Sequence, residues 1–179
     1  KQWYGDGLMS ETITIKRGSE LELDIESLAY GGMGLARKEN FVIFVKYAIP
    51  GQRVLARIYK KRKGFAEAQV LKLLVESPNA VGVRCKHYWI CSKIQSLSYD
   101  EQIKEKSSQV EDAFHRLGGF TDFKLDKVQK ADPIYHYRNK MEFTFSPNRW
   151  VLESEPEGVD KSFALGLHIP GRFDKILDI

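Results

Sequence analysis

The sequence predicts a mainly β protein, with a small N-terminal β-barrel followed by a partial α+β region. Three observations carry that expectation. Between Glu20 and Leu74, five short stretches of strand character are divided by glycine-bearing or charged turns, the pattern of a small closed barrel. One segment, Ser98 to Gly119, has helical spacing. Beyond it, short alternating segments return.

Taken in order, residues 1–9 carry no clear pattern and are expected to form an N-terminal extension. Glu20-Leu21-Glu22-Leu23-Asp24-Ile25-Glu26 alternates strictly, which gives one wet and one buried face and hence a strand. Tyr30-Gly31-Gly32-Met33-Gly34 predicts a bend or a close backbone approach. Leu35–Arg37 and Phe41–Val45 flank Lys38-Glu39-Asn40 as a hairpin. Ile49-Pro50-Gly51-Gln52 is a turn. Arg53–Tyr59 alternates again, Lys60–Gly64 is a basic turn, and Phe65–Leu74 is the last barrel strand. Ser77-Pro78-Asn79 marks a boundary. Ser98-Tyr99-Asp100-Glu101 reads as a capping box. Ile103, Val110, Phe114 and Leu117 then share one helical face, expected to pack as core, and Gly118-Gly119 ends the helix. Met141, Phe143 and Phe145 alternate as a strand, Trp150–Leu152 returns after Pro147-Asn148, and Phe163–Ile169 forms another strand.

The chain has 179 residues, 42% hydrophobic and 29% charged, so it can bury a core and is not a disordered polyampholyte. No apolar run reaches the roughly 20 residues that span a bilayer, and no secretory leader is visible. Two cysteines, Cys85 and Cys91, are too few for a disulfide scaffold. The expectation is a cytoplasmic protein without a membrane partner. The net charge of +4 says little alone, but its distribution is informative. From Phe41 to Ala66 run seven basic residues, Lys46, Arg53, Arg57, Lys60, Lys61, Arg62 and Lys63, with no acidic residue among them. Phe41, Phe44, Tyr47, Tyr59 and Phe65 are interleaved with them. The acidic residues gather elsewhere, at Glu20–Glu26 and Glu153–Asp160. Cations neutralise phosphates while flat rings stack on unpaired bases, so the strip predicts a polyanion partner, single-stranded RNA above all. A solvated charged face with the aromatics in the core is the competing reading. The dinucleotide fingerprint, phosphate loop and nucleophile elbow are all missing from the sequence, and the four histidines are scattered, with only His87 near a cysteine.

Leu28-Ala29-Tyr30-Gly31-Gly32-Met33-Gly34-Leu35-Ala36-Arg37, then Phe41–Val45 and Ile49–Gln52, resemble the TRAM domain, an OB-like RNA-binding β-barrel. The resemblance is strongest to the bacterial RNA (uracil-5-)-methyltransferases that act on 23S ribosomal RNA. Cys85–Gln95 with Leu97-Ser98-Tyr99 is similar to that family's iron–sulfur segment. Tyr137–Phe143 and Ala164–Lys175 are similar to its central domain. The resemblance implies a TRAM barrel over 10–76, a degenerate iron–sulfur segment over 77–97 and a partial central domain over 98–179, with the methyltransferase domain absent.

In that family four cysteines hold a 4Fe-4S cluster, the first three in a run of Cys, five residues, Cys-Gly-Gly-Cys, two residues, Gln. Cys85 and Cys91 match the first two. Only Ser92, Lys93 and Ile94 separate Cys91 from Gln95, where the family has five residues, so the third cysteine is missing. Two thiolates cannot fill a four-iron cluster. The resemblance implies S-adenosylmethionine and the cluster for the whole family, with neither expected on this chain. It also implies attack of a catalytic cysteine on uracil in a domain beyond this sequence. No residue here is assigned as nucleophile, base or cofactor ligand. The residues expected to touch RNA are the seven of the strip together with Arg138 and Lys140; DNA is not expected as a partner. The alternative is a stand-alone, non-catalytic RNA-binding or ribosome-assembly protein.

Overall fold

The computed structural model describes residues 15–152 and 154–179. The expected extension over 1–9 and the start of the barrel at Ser10 lie outside the described residues. The described residues are mainly β, with 34% strand and 14% helix. The chain divides into two compact units. The first runs to Gly82 and takes up Lys93–Thr121; the second comprises Val83–Ser92 and Asp122–Ile179.

The first unit is built on six strands, β1 (Glu20–Asp24), β2 (Ser27–Ala29), β3 (Met33–Lys38), β4 (Phe41–Lys46), β5 (Arg53–Lys61) and β6 (Phe65–Val75). They form one curled sheet, a half-barrel, in the order β1-β5-β6-β4-β3-β2. All pairings are antiparallel except β4 with β6, which the chain reaches by crossing over through β5. Among the described residues, β1 and β2 stand at the two ends of this strand order, consistent with the expected OB-like barrel. They are consecutive in sequence. At the bend between them, Ile25 N–H donates to Gln52 O at 2.9 Å and Glu26 N–H donates to Leu35 O at 2.8 Å, so the chain passes from one edge of the sheet to the other.

Period-two alternation fixes what lies inside. Leu21, Leu23, Ile43, Val45, Val54, Ala56, Ile58, Ala66 and Ala68 are buried in one cluster. Glu39 and Asn40 take positive φ at the β3–β4 turn, as the hairpin reading requires. Gly34 on β3 faces the bend closely: a Cβ there would stand 2.9 Å from Ile25 Cγ2 and 3.0 Å from Ala48 O.

A four-residue helical turn, α1 (Tyr88–Cys91), lies in the second unit. In the first unit, α2 (Tyr99–Asp112) ends in a π-helical turn over Ala113–Leu117, and Gly119 follows with positive φ. Two expectations about this helix are corrected. Ser98 is the N-cap residue but makes no side-chain cap bond, and Glu101 pairs with Lys104 instead. The apolar face is not core: α2 buries no residue, and Val110, Phe114 and Leu117 are exposed. The helix is held by polar contacts. Leu28 N–H donates to Glu105 Oε2 at 2.8 Å, and Gln109 Nε2 donates to Leu28 O at 3.0 Å. These side chains, four residues apart on one helix face, satisfy both backbone groups of Leu28 on edge strand β2.

The second unit has a four-stranded sheet, β7 (Thr144–Ser146), β8 (Arg149–Trp150), β9 (Ala164–His168) and β10 (Ile176–Asp178), in the order β7-β9-β10-β8. Ile90, Ile169 and Leu177 form its buried cluster, with Trp89, Trp150 and Leu152 against them. Gly166 pairs with Asp178 so tightly that a Cβ would fall 1.9 Å from Leu177 O. The strand expected from Met141 begins only at Thr144; Tyr137–Phe143 is irregular.

Gly34→Ala should destabilise the first unit by about 1–3 kcal/mol through overpacking against Ile25 and the Ala48 carbonyl. Urea unfolding would read this as a lower midpoint at unchanged slope.

Candidate functional site

The expected basic strip divides into two zones once the strands are paired. On β5, Val54, Ala56 and Ile58 point inward, so Arg53 and Arg57 point out. β1 lies beside β5, and its Leu21 and Leu23 also point inward, so Glu20, Glu22 and Asp24 share the outer surface with the arginines. Arg57 Nε and Nη2 donate to Glu20 Oε1 at 3.0 and 2.6 Å. Arg53 Nη2 donates to Glu22 Oε2 at 3.0 Å, and its Nε lies 3.9 Å from Asp24 Oδ1. The acidic stretch that stands apart from the strip in sequence is thus its direct neighbour in space.

The second zone is the outer face of β4, β6 and the end of β5. Phe44 and Lys46 alternate outward from β4, and Phe65 and Glu67 from β6. The Phe44 and Phe65 rings meet edge to face, 5.6 Å between centroids. Lys46 Nζ stands 4.6 Å from the centroid of the Tyr59 ring. Tyr59 O–H donates to Glu67 Oε2 at 2.8 Å, and Lys60 Nζ donates to Glu67 Oε1. These hydrogen bonds, the one from Lys60 foremost, hold the Glu67 carboxyl below its ordinary range. Partial burial and the adjoining carboxylate push the Tyr59 phenol up. Lys61 Nζ lies 5.9 Å from the Phe41 ring centroid, and Arg62 and Lys63 are exposed in the β5–β6 turn. Among the described residues, no carboxylate stands within ion-pair distance of Lys46, Lys61, Arg62 or Lys63. The aromatics split likewise: Phe41 packs against the core, while Phe44, Tyr59 and Phe65 are half-buried on the outer face and Tyr47 is exposed. Tyr30, 95% exposed beside the Gly31-Gly32 turn, is a further ring on this unit. The exposed two-glycine bend that follows it was the available signal for it.

Arg138 and Lys140 lie in the second unit, on irregular chain. Arg138 Nη1 approaches Met141 Sδ at 3.7 Å. Lys140 Nζ pairs with Glu142 Oε1 at 2.9 Å, two residues further on in the same irregular stretch.

Cys85 and Cys91 are brought together with His87. Their Sγ atoms and the nearest imidazole nitrogen all lie within 4.8 Å of one another. Partial desolvation, with Cys85 next in weight, pushes the Cys91 thiol up. A cubic four-iron cluster takes four thiolates, and this set offers two sulfurs and an imidazole, so these residues do not fit that cluster.

Because the folded-state value of Glu67 is depressed, its contribution to stability is full above the ordinary glutamate range and is lost as pH falls through that depressed value. Urea midpoints measured against pH should show Glu67→Gln below wild type at neutral pH, with the gap closing in acid.

Residues 15–71 match the TRAM domain family. An "uncharacterized RNA methyltransferase" of Porphyromonas gingivalis is 38% identical over 165 residues, 88% of this chain and 36% of that protein. One of Bacteroides thetaiotaomicron is 39% identical over 157 residues, 85% of this chain and 35% of the relative. One of Chlorobaculum tepidum is 34% identical over 180 residues, 96% of this chain and 37% of the relative. The chain thus spans about a third of the length of these relatives. No helix among the described residues is long and apolar enough to cross a membrane. The chain carries a TRAM domain over residues 15–71, and most of its length is similar to about a third of each of these proteins named as RNA methyltransferases.

Proposed function

We propose that this chain is the RNA-recognition portion of an S-adenosylmethionine-dependent RNA (uracil-5-)-methyltransferase, and that the RNA is ribosomal. The observation that carries the RNA reading is the outer face of β4, β6 and the β5–β6 turn. There Lys46, Lys61, Arg62 and Lys63 make no ion pair among the described residues, although the Lys46 charge acts on Glu67, and they stand near the rings of Phe41, Phe44, Tyr59 and Phe65. Ammonium and guanidinium groups release counterions from phosphates, and the rings offer surfaces for unpaired bases. The TRAM match and the names of the relatives support the same reading. Uracil C5, S-adenosylmethionine and ribosomal RNA rest on the resemblance of the later segments. In this reading the first unit grips the strand through these four cations. Arg53 and Arg57 contribute less, because each must first leave a carboxylate on β1. Arg138 and Lys140 are secondary contacts from the second unit.

Four phosphate contacts to single-stranded RNA predict that log affinity falls with log salt at a slope of about −3. Reversing Lys61, Arg62 and Lys63 to Glu should flatten that slope to about −1, with one contact left. Reversing Arg53 and Arg57 should change it much less. Filter binding of the 179-residue chain across a salt series reads all three. A salt-independent affinity, or equal losses from both sets, overturns the assignment. For the reaction, the whole protein supplied with methyl-labelled S-adenosylmethionine and ribosomal RNA should yield 5-methyluridine. The 179-residue chain should bind RNA without turnover.

A further inference from the structure

We propose that Cys85, His87 and Cys91 form a mononuclear site for a zinc-type divalent cation. The inference is independent of the RNA reading. It begins with local geometry. His87 is the N-cap of α1 and Cys91 its last residue. Residues four apart on a helical turn share a face, so the imidazole and the thiol project to the same side. Cys85 sits two residues earlier, and the turn is closed by Ile90 N–H donating to His87 O at 3.0 Å and Ser92 N–H donating to Tyr88 O at 2.7 Å. Buried Ile90, packed with Ile169 and Leu177, anchors the turn to the second unit.

The donor atoms fall within 4.8 Å of one another. A tetrahedral zinc ion with bonds of about 2.0–2.3 Å holds its donors roughly 3.3–3.8 Å apart, so small side-chain rotations complete the set. Two sulfurs and one imidazole nitrogen are the donors that borderline-soft divalent ions select. Cys85 and His87 are half-buried and Cys91 is exposed, so the site opens to solvent on one side. Three protein donors leave a fourth position for water, the arrangement of an open rather than a closed zinc site.

The test is cobalt substitution on the reduced, metal-free 179-residue chain under anaerobic conditions. One Co2+ per chain should bind with a sulfur-to-metal charge-transfer band and the visible bands of a tetrahedral ion, and Zn2+ should displace it. His87→Ala should weaken Co2+ binding at least about tenfold, the scale seen even for residues that only orient metal ligands. His87→Cys should keep the ion and strengthen the charge-transfer band, which separates a lost ligand from a misfolded turn. Binding unchanged in His87→Ala overturns the site. So does a brown protein holding several irons with sulfide after reconstitution. Failure of the reduced protein to take up cobalt, with Cys85 and Cys91 closing to a disulfide in air, also overturns it.

Discussion

The parity of the β-sheet decides where every charge on the first unit can lie. Leu21 and Leu23 on β1 must face the same interior as Val54, Ala56 and Ile58 on β5. A slip of one residue would turn each of these side chains to water. Burying one large aliphatic side chain is worth about 1.5–3 kcal/mol. An exposed ion pair is worth at most about 1 kcal/mol. The apolar faces therefore set the register, and the charges follow. Glu20 meets Arg57 and Asp24 meets Arg53 across the ladder because the leucines behind them have nowhere else to go.

The β5–β6 register shifts at three points, and the last of them creates the second zone. It lies between Ile58 and Lys60, opposite Ala68 and Glu67. An irregularity of this kind adds a residue to one strand and re-aims the side chains beyond it. Tyr59 is that residue. Its ring lies under Lys46, and Lys60 is delivered to Glu67. Glu67 is thus occupied by Lys60 and Tyr59, and the cations that follow, Lys61, Arg62 and Lys63, pass beyond its reach. One bulge separates a lysine that balances the sheet from three basic residues that do not.

Local period and turn chemistry made much of this legible in the sequence. Glu20–Glu26 could only be a half-buried strand, and Lys38-Glu39-Asn40 could only turn a hairpin, because each signal is complete within a few residues. What could not be read is who sits beside whom. The separation of 37 positions from Glu20 to Arg57 hides the pairing that neutralises the arginines, so charge blocks separated in sequence read as separated in space. The helix illustrates a second limit. Ile103, Val110, Phe114 and Leu117 have the spacing of a core face, yet α2 is held by Glu105 and Gln109 on the backbone of Leu28. Spacing reports which residues share a face, not whether a neighbour needs polar or apolar contact. At Tyr137–Phe143 alternation was present, but no described strand pairs with that stretch, and a strand without a partner ladder has no hydrogen bonds to hold it.

The thiol cluster shows the converse case, in which counting residues along the chain obscures a constellation that a single helical turn assembles. Judged by cysteine spacing alone, the segment is an incomplete sulfur set. Placed on a turn, the residue four before Cys91 matters more than the residue after it, and that residue is His87. Ala80 pairs with Leu97, Val81 N–H donates to Ser96 O at 2.8 Å, and Ser98 N–H donates to Asn79 O at 2.9 Å, so the two ends of the segment are tied together. Val83–Ser92 then belongs to the second unit, where Ile90 is buried with Ile169 and Leu177. Ile90 and its hydrogen bond to His87 O precede Cys91, so that anchor does not depend on the length of chain between Cys91 and Gln95. The three donors all lie at or before Cys91, so their geometry rests on that one turn.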